Sequence, residues 1–191
     1  MHFEREERHT PPPFRPTFVG CVAKDMHMAR ALEDAYCAKL YAVAADTYRS
    51  LITEAFDRAL SELFDAFAVE ALWHFRLLGE LILALGGNPA VRTPVRVEPR
   101  EVRTDESVRS SRAALRLLED AKRDGKRMID RLETLMGHSG DRVVRSVLAG
   151  LLDDDQRRIS QINAAMPYST TFYLQIMGRK HTLLSKCSFS P

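Results

Sequence analysis

The feature that most constrains the fold is a long amphipathic segment that ends at Gly86, Gly87 and Pro89. Apolar residues recur along it at helical spacing and cover one wide face. These positions are Leu63, Phe64, Phe67, Ala71, Leu72, Phe75, Leu78, Leu81, Ile82 and Leu85. Glycine after the last periodic residue, followed by proline, is typical of a helix end. The pattern predicts a helix over about residues 55–87, with His74 in the middle of its buried face.

Composition narrows the class of protein. The chain has 191 residues, 45% of them hydrophobic, which is enough for one globular domain with a continuous core. A net charge of +2 is too small to indicate nucleic-acid binding, and the longest apolar run, Leu81–Leu85, is too short to cross a membrane. The three cysteines, Cys21, Cys37 and Cys187, form no metal-binding or disulfide pattern. The charged, proline-rich N-terminus excludes a signal peptide, so we expect a cytoplasmic protein with reduced thiols.

Three further helices follow from periodicity and from turn residues. We name the four predicted helices A to D, with B the segment described above. Helix A is expected over about residues 27–52, helix C from about 105 to Met136, and helix D from Ser139 or Asp141 to just before Pro167. The predicted domains are an extended arm over 1–26, a four-helix bundle over 27–166 and a tail over 167–191 with a β-like patch at Thr170–Ile176.

Loop lengths predict how these helices are connected. The A–B and C–D turns are short, which forces each pair to be antiparallel. The B–C connection, residues 88–105, contains three prolines and is long enough to travel back along the bundle. An all-α, antiparallel four-helix bundle with one long crossover is therefore expected.

Each helix has one unusual feature near its middle. Helix A places Lys39 on the same face as its apolar residues, and helix B has His74. Helix C has Gly125, which costs about 1 kcal/mol relative to alanine and indicates that another group comes close there. Helix D has Asp155 and Arg158 at the centre of its apolar stripe.

Helices B to D resemble the small ferritin-like proteins of bacteria, relatives of rubrerythrin and bacterioferritin. The segments that carry the resemblance are HFRLLGELILALGGNP on helix B and LLDDDQRRI on helix D, within a similarity over about residues 27–166. The resemblance implies a pair of iron or manganese ions held by one Glu on helix A, ExxH on helix B, one Glu on helix C and ExxH on helix D. It also implies oxidase, peroxide-consuming or storage chemistry.

The implied ligand positions carry the wrong residues in this chain. They fall on Lys39, on Ala71 and His74, on Gly125, and on Asp155 and Arg158. His74 alone keeps the family's residue type, and Asp155 is a shortened carboxylate. Two divalent ions need bridging carboxylates to neutralise their charge, whereas lysine and arginine add positive charge. These six positions are therefore predicted to form a vestigial metal pocket with no catalytic residue and no cofactor.

Three interpretations of this pocket stay open. In the first, Lys39, Asp46, His74, Asp155 and Arg158 form a buried hydrogen-bonded cluster, and Gly125 leaves room for a long side chain. In the second, Lys39 and Arg158 extend to the surface and His74 is an ordinary core histidine. In the third, Glu70, His74 and Asp155 bind a single ion, since Glu70 and His74 are separated by one helical turn. Iron or manganese is then the cofactor.

The resemblance favours a structural or partner-binding subunit. Expected partners are a second copy of the chain or a related ferritin-like protein, because such bundles pair through helix faces. Val69 and Trp73 lie off the core stripe. If helix A packs as expected, they lie next to Tyr41 and Tyr48, where they either complete the core or form a dimer surface. The arginines of helix C alternate with acidic residues and predict a solvated face, with nucleic acid as the less favoured ligand.

Overall fold

A computed structural model of the protein describes residues 22–91 and 106–186, with side chains over 22–91 and 112–166. Within these residues the chain forms four helices and no strand. They are α1 (Met26–Glu54), α2 (Arg58–Ala84), α3 (Glu106–His138) and α4 (Arg142–Lys186). The predicted all-α architecture of four helices is confirmed. None of the described helices is long and apolar enough to span a membrane.

Aspartates cap the starts of three helices. The Asp25 carboxylate accepts hydrogen bonds of 3.0 Å from the backbone N–H groups of His27 and Met28 at the start of α1. Asp57 does the same for Leu60 in α2, and Asp141 caps α4. Each cap satisfies N–H groups that have no partner inside the helix. Asp141, rather than Ser139, therefore determines where the last helix begins.

Two glycines end α2 as the sequence predicts. Gly86 has a φ of 90°, in the left-handed region that favours glycine. The Gly87 N–H donates to the Ile82 carbonyl at 2.9 Å. A Cβ on Gly87 would lie 2.7 Å from the Cβ of Ala29 and 2.9 Å from Cγ2 of Ile82. The end of α2 therefore packs directly on the first turns of α1.

Because of this close approach, the stability of the protein should depend much more on Gly87 than on Gly150. We expect Gly87→Ala to lower the free energy of unfolding by about 1–3 kcal/mol, because the added methyl group overlaps two packed side chains. Gly150 is exposed within α4, and a Cβ added to it would have no neighbouring atom within 4 Å. Gly150→Ala should therefore stabilise the protein by up to about 1 kcal/mol through helix propensity. Urea unfolding of both variants tests this, and equal effects would contradict the packing described here.

The connections arrange the helices as two hairpins. Residues 55–57 join α1 to α2 and residues 139–141 join α3 to α4, so each pair packs closely and antiparallel. Across the hairpins α1 contacts α3, and α2 contacts α4 more sparsely. Leu72 was predicted to lie on the buried face of the second helix, but it is 51% exposed because it lies at the edge of that stripe.

The prediction that the last helix stops before Pro167 is wrong. The α4 helix continues to Lys186, so residues 168–186 are helical and the β-like patch at Thr170–Ile176 forms no strand. A proline inside a helix removes one backbone hydrogen bond and clashes with the preceding turn, at a cost of roughly 3 kcal/mol. That cost disfavours a helix through Pro167 but does not forbid one. Residues 1–21, 92–105 and 187–191, which include most of the predicted arm and crossover, lie outside the described residues.

The core is divided into two apolar halves by a layer of buried charge. One half joins residues such as Leu32, Leu78, Leu132 and Leu148, and the other joins Phe64, Phe67, Leu118 and Ile162. Between them along the helices lies what we call the polar layer. Its members are Lys39, Asp46, Arg49, His74, Asp155 and Arg158, none more than 6% exposed. The buried charged residues are thus collected in the middle of the bundle, between its two apolar halves.

Candidate functional site

Lys39 points into the bundle and forms a buried ion pair. Its Nζ lies 2.7 Å from both carboxylate oxygens of Asp155, which connects α1 to α4. The two side chains are 3% and 4% exposed. The interpretation in which Lys39 extends to the surface is therefore wrong, and Arg158 is buried as well. The reason is that Asp155 offers the ammonium a partner that is held in place by the opposite hairpin.

A second network of charges lies beside this pair. Asp46, which is fully buried, accepts a 2.8 Å hydrogen bond from Arg49. It also accepts one of 3.0 Å from Nη2 of Arg158, which lies 2.8 Å from its other oxygen. Arg49 continues to Asp124 on α3. The guanidinium of Arg158 lies 4.6 Å above the ring centroid of Phe67, a cation–π contact.

The charges of the two networks balance. Three cations, Lys39, Arg49 and Arg158, face three carboxylates, Asp46, Asp124 and Asp155. Burial lowers the pKa of the Lys39 ammonium, and the attraction of Asp155 offsets only part of that effect. Burial acts in the same direction on Arg49, but Asp46 and Asp124 together raise the pKa of its guanidinium above its ordinary value. Each buried charge therefore depends on a named partner.

A cavity of about 200 Å³ opens between α1 and α3 at this level. Lys39, Gly125, Asp155 and Arg158 all contribute to its wall. The sequence predicted that Gly125 makes room for a long charged side chain, but its nearest neighbour is the apolar residue Ile159. Cδ1 of Ile159 would lie 2.8 Å from a Cβ added at Gly125. Four of the six predicted pocket residues are thus brought together. Ala71 is buried in α2 and does not line this cavity.

His74 lies at the contact between α2 and α4, with different partners. Its Nε2 is 3.0 Å from Oδ2 of Asp154 and 4.0 Å from Oε1 of Glu70. Asp154 uses its other oxygen to accept a 2.6 Å hydrogen bond from Arg157. The predicted five-residue cluster is therefore divided, because His74 bonds to Asp154 and not to the Lys39–Asp155 pair. The predicted ion-binding set of Glu70, His74 and Asp155 needs the same correction, since Asp155 faces Lys39 and Asp154 takes its place.

The two carboxylates beside His74 have opposite pKa shifts. The hydrogen bond from His74, aided by Arg157, lowers the pKa of Asp154. Burial raises the pKa of Glu70, and repulsion from Asp154 and Asp155 adds to that effect, while His74 and Lys39 oppose it. Above that raised pKa, the charged form of Glu70 carries a cost to the folded state.

That cost predicts a stabilising substitution. In metal-free buffer at neutral pH, Glu70→Gln should increase the free energy of unfolding, because the variant removes a half-buried charge whose pKa is raised. A raised folded-state pKa means that the penalty is full above that pKa and disappears below the unfolded-state value of about 4.3. Urea unfolding at several pH values tests this. A gain that persists below about pH 4 would mean that the ionisation of Glu70 is not its cause.

Three residues of the site were not identified from the sequence. Arg49 follows Asp46 by three positions, so it lies on the same buried face, and this spacing could have indicated the pair. Asp124 is one of the acidic residues that alternate with the arginines of the third helix, so the sequence predicted it to lie on the solvated face. Asp154 lies in a run of three aspartates, and periodicity alone cannot tell which member faces His74.

Comparison with known proteins identifies the family. A family model for the ferritin-like domain matches residues 48–166, from the end of α1 into α4. The match covers more than half of the chain, and it agrees with the four-helix architecture. No curated protein matches the chain. The chain belongs to the ferritin-like family.

Proposed function

We propose that this ferritin-like protein is a non-catalytic structural or partner-binding subunit, in which buried ion pairs have replaced the family's two metal ions. The observation that carries the proposal is the contact of Lys39 Nζ with both oxygens of Asp155 at 2.7 Å in the bundle interior. An ammonium in this place supplies the positive charge that a metal would otherwise bring. It also occupies the carboxylate that a metal would need.

The residues at the family's ligand positions do not fit a metal pair. Ala71 and Gly125 carry no ligand atom, and Lys39 and Arg158 are cations that would repel divalent ions. Both carboxylate oxygens of Asp155 already accept a hydrogen bond from Lys39. Two metal ions need several carboxylates for charge and coordination, and only one of these positions keeps a carboxylate.

The polar layer has a structural use that needs no metal. Lys39, Asp46 and Arg49 on α1 reach Asp124 on α3 and two residues on α4, Asp155 and Arg158. Paired buried charges contribute little net stability but penalise any arrangement that separates them. We infer that the layer fixes the register between the two hairpins, and that this is what the bundle retains in place of chemistry.

A second copy of the chain is the proposed partner. The outer face of α2 exposes Val69, Leu72 and Trp73, at 50%, 51% and 36%. Asp65 lies on the N-terminal side of this patch and Arg76 on its C-terminal side, both exposed. Two α2 helices packed antiparallel would cover the patch and place Asp65 of one copy near Arg76 of the other. A related ferritin-like protein with a similar face is the alternative partner.

Metal analysis tests the loss of the metal pair. Protein purified from cells grown with added iron and manganese should contain fewer than two metal ions per chain and should not accelerate Fe²⁺ oxidation. Asp155→Asn should leave the metal content unchanged. Two ions per chain that are lost in Asp155→Asn would overturn the proposal.

Sedimentation equilibrium tests the partner. The full chain should be a dimer, and Trp73→Glu should shift it to the monomer. Leu51→Glu is the matched control, since Leu51 is a similarly exposed leucine, at 65%, but lies on α1 rather than on α2. A monomeric parent protein would overturn self-association and leave a related ferritin-like chain as the partner to be sought.

One observation favours a second candidate function. Donor atoms of Glu70, His74 and Asp154 lie within 4.8 Å of one another. A metal-binding oxidase, peroxide-consuming or storage protein on altered ligands would have to use these residues, with iron or manganese. It predicts Fe²⁺ oxidation or iron accumulation that depends on His74, which the assay above also measures.

A further inference from the structure

A cluster of three ligand-type side chains lies at the contact between α2 and α4, outside the Lys39–Asp155 pair. Glu70 and His74 are one turn apart on α2, and Asp154 approaches them from α4. Nε2 of His74 is 3.0 Å from one carboxylate and 4.0 Å from the other, and all three donor atoms lie within 4.8 Å. Ligands about 2.1 Å from one ion are separated from one another by roughly 3.0–4.2 Å. The donors are thus already near the spacing that one ion requires.

The local charge favours a cation. Lys39, the nearest buried ammonium, is committed to Asp155. The exposed Arg157 donates to the oxygen of Asp154 that does not face His74, and its side chain is 63% exposed. It therefore neutralises the charge of only one of the two carboxylates. Among the described residues, Glu70 has no ion-pair partner within 4.0 Å except His74.

The histidine places a buried nitrogen donor at this cluster. His74 is only 5% exposed, and Nε2 faces both carboxylates. Its Nδ1 is buried and has no hydrogen-bond partner among the described groups. Nε2 is thus the ring nitrogen that contacts protein groups, and it is the one on which the two carboxylate oxygens converge.

We propose that Glu70, His74 and Asp154 bind a single divalent transition-metal ion, with water in its remaining positions. Two carboxylates neutralise the ion, and a nitrogen–oxygen donor set of this kind suits Zn²⁺, Co²⁺, Mn²⁺ or Fe²⁺. Glu70 and Asp154 each precede a ligand position of the family by one residue, so this site lies beside the old pair of sites. It goes beyond the proposed function: the ion would join α2 to α4, the hairpin contact with the sparser packing.

Titration with Co²⁺ tests the site. Chelator-treated full-length protein is titrated with CoCl₂ and followed by visible absorption and calorimetry. We expect one Co²⁺ per chain. Glu70→Gln and His74→Gln should each weaken binding at least tenfold, whereas Asp153→Asn should change it less than twofold. Asp153 is the matched control because it is an exposed carboxylate adjacent to Asp154.

The outcomes separate this site from the proposed function. No bound Co²⁺, or binding that Glu70→Gln leaves unchanged, would overturn the site while the loss of the metal pair would stand. Two Co²⁺ per chain, one of them lost in Asp155→Asn, would overturn the proposed function while this site would stand. Urea unfolding of metal-free Glu70→Gln measures whether the variant is folded, so that a loss of binding can be separated from misfolding.

Discussion

Replacing Asp46 by alanine is expected to lower the free energy of unfolding by about 3–5 kcal/mol. The carboxylate is fully buried and neutralises two guanidinium groups, those of Arg49 and Arg158. Removal of one member of a buried charge network leaves the others desolvated and uncompensated. Arg49 retains Asp124 as a partner, but Arg158 retains, among the described side chains, only the face of Phe67. Urea unfolding at neutral pH measures the loss.

Asp34→Ala is the matched control for that prediction. Asp34 is on the same helix and is exposed, so its substitution should change the stability by no more than about 0.5 kcal/mol. Similar effects in Asp46→Ala and Asp34→Ala would mean that the polar layer is hydrated and that Asp46 is not a buried charge.

The helices were predictable because their signals are local. Apolar spacing, an aspartate cap and a glycine end each involve residues within a few turns, and all three are present around α2. The α4 helix shows the limit of such signals. Pro167 carries a strong local preference against a helix interior, but the structure continues through it, and the energy of one proline is small against that of a 45-residue helix.

The polar layer was predictable in its membership more than in its pairing. Lys39, Asp46, Asp155 and Arg158 each interrupt an apolar stripe, which indicates burial of a charge. Which carboxylate meets which cation depends on the rotation of one helix against another, to within about one residue. That uncertainty exchanged Asp155 for Asp154 as the partner of His74. A change of one position on a helix rotates a side chain by about 100°, enough to move it to a different neighbour.

The proposed function separates family membership from the family's metal chemistry. A ferritin-like bundle is identified by its apolar stripes and by the lengths of its turns. The residues of the stripes mostly contact other helices. The resemblance places the family's ligands at only six positions, and the proposal is that the bundle tolerates their substitution because the buried charge stays balanced. Three cations and three carboxylates satisfy that condition without a metal. The fold therefore predicts the scaffold, and the side chains at its centre decide the function.

The second large effect is expected at the Lys39–Asp155 pair. Lys39→Met should cost about 3–5 kcal/mol in unfolding free energy, because the Asp155 carboxylate is then buried without its cation. The double variant Lys39→Met/Asp155→Leu should regain most of this loss and reach or exceed the parent stability, since an apolar pair of similar size needs no desolvation of charge. The adjoining cavity of about 200 Å³ gives the leucine room.

A double-mutant cycle that includes Asp155→Leu alone makes this prediction quantitative. If the pair is coupled as the 2.7 Å contacts indicate, the losses of the two single variants should exceed that of the double variant by several kcal/mol. Additive losses would mean that the two side chains act independently. A stable double variant that also forms the proposed dimer would show that the ion pair is dispensable for folding. A stable double variant that no longer dimerises would instead indicate that the pair acts by fixing the register of the hairpins.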